Sequence, residues 1–100
     1  MIDQLEQRIQ GGYEAQEVLS SPAYVSAYSS IEQEFISAWI YSPARDAEGR
    51  EKLYLSIRML RKVQGRIEAQ MTDSKMAQSE LDSRNMAQKA VDKLRDWASF

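Results

Sequence analysis

The chain has 100 residues, 43% hydrophobic and 28% charged, with a formal net charge of −2. That suits one folded domain, residues 1–100, with a modest core, and it is too apolar for a disordered chain. There is no cysteine and no histidine, which excludes disulfides, thiolate nucleophiles and the imidazole-centred acid–base and transition-metal chemistry of most enzymes.

Only two prolines and four glycines argue for helices over a turn-rich β-sandwich, so the expected fold class is all-α. The charge is unevenly placed. Residues 1–41 hold one basic side chain, Arg8, against six acidic ones, whereas residues 42–66 hold seven basic against three acidic. The favoured reading is that these two parts neutralise each other; a dedicated basic binding surface is the second reading. No basic region followed by an apolar run opens the chain, and no stretch approaches about 18 apolar residues. Neither a signal peptide nor a membrane span is therefore expected.

In chain order, Asp3 and Glu6 have capping-box spacing. Ile2, Leu5 and Ile9 then share one face of a short N-terminal helix. Gly11-Gly12 is expected to end that helix, and Tyr13 to Leu19 reads as a further short helical piece. Ser21-Pro22 is a helix start, with serine as cap and proline at the first helical position. From there an aromatic and aliphatic stripe runs through Tyr24, Tyr28, Ile31, Phe35 and Trp39, marking an amphipathic helix over about residues 22–41.

Ser42 to Asp46 forms the next turn, and the following helix begins at Pro43 or Ala47. Within Ala47 to Met71, Leu53, Ile57, Leu60, Ile67 and Met71 form a heptad seam with one polar break, Gln64. A turn this short predicts an antiparallel helical hairpin over residues 22–71. Phe35, Trp39, Leu53, Ile57 and Leu60 are its expected buried core. Thr72-Asp73-Ser74 are three capping-type residues, and the apolar phase changes after them. The favoured reading is a break there, followed by a separate C-terminal helix over about residues 75–98, with Glu80 and Arg84 paired along it. The alternative is one helix over residues 47–98, about 78 Å long, which would imply an extended assembly.

Catalysis is not expected. Glu14/Glu17 and Glu32/Glu34 read as solvated carboxylates, Gly49-Arg50-Glu51-Lys52 lacks the features of a phosphate loop, and no cofactor or metal is implied. Two sets of side chains are candidates for partner binding. One is the basic row Arg58, Arg61, Lys62 and Arg66. The other is Leu94, Trp97 and Phe100, because aromatic anchors are enriched where proteins meet. For Trp97 and Phe100 the competing reading is that they fold back to cap the open end of the hairpin.

The runs Ile31-Glu32-Gln33-Glu34-Phe35 with Trp39, Pro43-Ala44-Arg45-Asp46, Gly49-Arg50-Glu51-Lys52-Leu53 and Leu60-Arg61-Lys62-Val63 resemble small uncharacterised helical proteins encoded by tailed bacteriophages. The likeness covers about residues 24–78. It implies a phage product located in the host cytoplasm or the virion, and it transfers no functional residues. The function expected is non-enzymatic protein–protein association as an oligomeric component. The alternatives are an inhibitor that binds a host defence protein and a nucleic-acid-binding packaging accessory. The partner expected is a protein or further copies of the chain, with nucleic acid less favoured.

Overall fold

A computed structural model describes residues 3–98. Those residues form three helices and no strand: α1 (Gln4–Ser20), α2 (Pro22–Tyr41) and α3 (Ala47–Ala98). The all-α class is as the sequence predicts.

Asp3 caps α1, its side chain accepting the Leu5 N–H at 3.4 Å. The helix does not stop at Gly11-Gly12. It runs on to Ser20, so the piece at Tyr13 to Leu19 is its second half. The reason lies in packing. Gly12 is buried where α1 packs against α3, and a Cβ there would collide with the Ser74 side chain. Glycine at this position serves a close approach, not a helix end.

Ser21 alone separates α1 from α2. Its backbone is extended and its N–H donates to the Val18 carbonyl at 3.1 Å. Pro22 then takes the first helical position of α2, where its missing N–H costs nothing. At the far end of α2 a single side chain ties the turn. Arg50 donates to the Ser42 hydroxyl at 2.8 Å and to the carbonyls of Ser42 and Trp39 at 3.1 and 3.2 Å. Its guanidinium also stacks 4.9 Å from the centre of the Trp39 ring. Arg50 thereby gathers the carbonyls at the end of α2, of which that of Trp39 also accepts from the Ser42 N–H at 3.3 Å and the Ser42 hydroxyl at 2.6 Å. Asp46 caps α3, accepting the Gly49 N–H at 3.0 Å.

The break expected at residues 72–74 does not occur, and there is no separate helix over 75–98; α3 is continuous for 52 residues. The capping-type side chains are used across helices instead. Asp73 pairs with Arg8 at 2.8 Å, and the Ser74 hydroxyl donates to the Ile9 carbonyl at 3.3 Å. Glu80 and Arg84, expected to pair with each other, also reach α1, at Arg8 and Asp3. The apolar phase change is a change of neighbour. Leu53, Ile57, Leu60, Ile67 and Met71 are all half-buried, and the same inward row continues through Ser74, Ala77 and Leu81.

Contacts rise along α1 and α2 as they fall along α3. Asp3 meets Arg84, Arg8 meets Glu80 and Asp73, Gly12 meets Ser74, Tyr24 meets Gln64, Glu32 meets Arg61, and Trp39 meets Arg50. The polar break in the seam, Gln64, is matched: the Tyr24 hydroxyl donates to its side-chain carbonyl.

The molecule measures 84 × 26 × 22 Å, with a radius of gyration of 22.9 Å, against about 13 Å for a compact domain of this length. The expected core is corrected accordingly. Phe35, Leu53, Ile57 and Leu60 are half-buried, and Trp39 is 37% exposed. Two helices side by side have no third layer to cover the seam. The residues that are buried are small: Gly12, Ala15 and Ala77.

Adjacent glycines provide a test of this packing. A Cβ on Gly11 meets nothing within 4 Å, so Gly11→Ala is expected to stabilise the chain by about 1 kcal/mol through helix propensity. Gly12→Ala must push α1 off Ser74 and is expected to destabilise by about 1–3 kcal/mol. Thermal melts of the two variants should therefore move in opposite directions.

Candidate functional site

α1 is held on α3 by charge as well as by small residues. Arg8 presents Nε and Nη2 to Asp73 at 3.0 and 2.8 Å, and its Nη1 lies 3.5 Å from Glu80. Arg84 donates to Asp3 at 2.7 Å. Hydrogen bonding from Arg8 holds the Asp73 carboxyl below the ordinary carboxylate range, and the same bond raises Arg8. Arg84 lowers Asp3 likewise. Tyr28 is raised, first by burial and then by the charge of Glu32. Arg84 is the last residue of α3 in this ladder. Beyond it every described residue, 85–98, is exposed.

Among the described residues, α3 takes part in two uncovered apolar surfaces. The first lies along one side of the α2–α3 pair, where Phe35, Leu55, Met59, Leu60 and Val63 line an open groove. Leu55, Met59 and Val63 recur every four residues on one helical face, and Met59 is 63% exposed. The second lies past Arg84. Met86, Ala90, Leu94 and Trp97 share a stripe at spacings of four, four and three. Leu94 is 67% and Trp97 77% exposed. Trp97 does not fold back to cap the other helices; the continuous α3 carries it past the start of α1. Phe100 lies outside the described residues.

The basic row divides. Arg61 bridges to Glu32 at 3.2 Å, and Arg58 lies 5.9 Å from the centre of the Tyr54 ring. Lys62 and Arg66 make no ion pair or side-chain hydrogen bond among the described residues. The structure therefore does not bring the basic row to Leu94 and Trp97 within one chain. They occupy distant parts of one helix. The groove at Leu55, Met59 and Val63 is legible only as a second face of α3 outside the seam, a face that α1 and α2 leave largely open.

Among the described residues no group of three or more acidic side chains is arranged to hold a metal ion, and no helix is long and apolar enough to cross a membrane. No family model matches the chain, and neither a curated protein nor a solved structure does.

The ladder sets the acid response. Asp3 and Asp73 titrate lower in the folded chain than in the unfolded one, so they favour the docked α1 at neutral pH. That advantage is lost as pH falls through their folded values. Amide exchange in α1 is therefore expected to accelerate relative to α2 as pH drops from about 5 to about 3, after correction for intrinsic exchange. Asp73→Asn should flatten this dependence.

Proposed function

We propose that the chain is a non-enzymatic assembly protein that completes its core by associating with further copies of itself. In this reading α2 and the first half of α3 form an antiparallel hairpin, and α3 beyond Arg84 is the association arm. The observation that carries it is surface. The chain exposes 8202 Å², whereas a compact monomer of 11.5 kDa exposes about 5,800 Å². The surplus of about 2,400 Å² per chain is what an obligate interface buries. A free helical segment of about 14 residues is also marginal in water, yet this one displays Leu94 and Trp97. The phage resemblance of residues 24–78 supplies the setting we propose, the virion or the cytoplasm of an infected host.

The test is the mass of the purified chain by light scattering after gel filtration. The expected value is at least two chains at micromolar concentration, against 11.5 kDa for one. A single-chain mass would contradict self-association. A stable complex with a host protein under those conditions would then assign the same surfaces to inhibition.

A further inference from the structure

Leu55 and Met59 of the first apolar surface and Ala90, Leu94 and Trp97 of the second lie on one track of α3. Taking alternate steps of four and three from Leu55 gives Met59, Lys62, Arg66, Ala69 and Asp73. Continued in the same steps, the track passes Met76, Glu80 and Ser83 and ends in Ala87, Ala90, Leu94 and Trp97. This is a second heptad track; its two ends lie off the inward row that meets α1 and α2, and its middle, at Asp73 and Glu80, pairs with Arg8 at the edge of α1. Such a track stays on one side of a left-handed supercoil over its whole length. Apart from Ala69 and Met76, its apolar residues are at the two ends. Met59 and Leu94 are 35 residues apart, about 53 Å of helix, so the ends of one track cannot cover each other within a chain whose α3 is unbroken.

A two-fold axis removes that obstacle. We propose that two copies of this chain pair antiparallel along the track, with Met76 beside the axis and Met59 of one copy level with Leu94 of the other. This rests on the self-association proposed above and specifies its partner and register. Each apolar end then covers the other twice, as an isologous interface requires.

Charge selects the direction. A parallel pair in register would set Lys62 against Lys62, Arg66 against Arg66 and Asp73 against Asp73. The antiparallel register places the unpaired Lys62 and Arg66 opposite Ala90 and Ala87. There their stems can lie over small residues with the charges in water. The like charges it does bring together, Asp73 and Glu80, are the two that Arg8 already bridges.

The absence of native cysteine allows a direct test by disulfide formation. The positions are exposed in the single chain, so the substitutions leave its packing intact, which circular dichroism would check. Met59→Cys/Leu94→Cys should oxidise to a covalent dimer, and an equimolar mixture of the two single variants should give the mixed dimer. Met76→Cys alone should cross-link to itself, while Met59→Cys alone and Leu94→Cys alone should not. Efficient self-cross-linking of Met59→Cys or Leu94→Cys would overturn the antiparallel register while leaving self-association standing. An oligomeric mass with no cross-link in any variant would overturn the track itself. A single-chain mass for the unmodified protein would remove both the register and the self-association beneath it.

Discussion

The constraint on which everything else depends is that α3 is one helix of 52 residues. A helix of that length cannot bend back on its own apolar face, so it must be covered from outside. α1 and α2 together reach from Arg50 to Arg84 and cover one side. The other side, and all of α3 beyond Arg84, stay in water. The rod shape, the thin core and the exposed aromatic side chains follow from this arithmetic of lengths.

What holds α1 and α2 in place is modest in kind. Gly12 lets α1 settle onto α3 at Ser74, and the small residues Ala15 and Ala77 are buried, Ala77 at 0% exposed. Close contact between small residues supplies dispersion and shape but little apolar area. The ion pairs along the ladder are at least partly open to solvent, and such pairs contribute little on their own. The larger apolar side chains, Phe35, Trp39, Leu53, Ile57 and Leu60, are only half-covered. Side chains of this size that are only half-covered leave apolar area that the single chain does not bury.

Much of the fold was legible in the sequence, and the failures have physical causes. The seam from Leu53 to Met71 and the helix start at Pro22 were readable because spacing and proline chemistry are local. Gly11-Gly12 and Thr72-Asp73-Ser74 read locally as stops because glycine and short polar residues favour helix ends by propensity. At these sites tertiary contacts override propensity: Gly12 makes room for Ser74, and Asp73 faces Arg8. Such contacts join residues more than sixty positions apart, which no local pattern displays. Leu94 and Trp97 were recognisable as candidates from their chemistry, and they do stand exposed. Their relation to Leu55 and Met59 becomes visible only once α3 is known to be continuous, because an unbroken heptad count across residues 72–74 is needed to connect them.

The central claim is that the folded state is completed by association. It is tested most directly by the melting temperature as a function of protein concentration. If copies bind each other when folded and not when unfolded, mass action raises the melting temperature as concentration increases. A steady rise of several degrees between about 1 and 100 μM is the expected result, each kcal/mol shifting the melt of a 100-residue chain by about 4–8 °C. A sharp, reversible transition at one temperature across that range would contradict the account and identify a self-sufficient monomer.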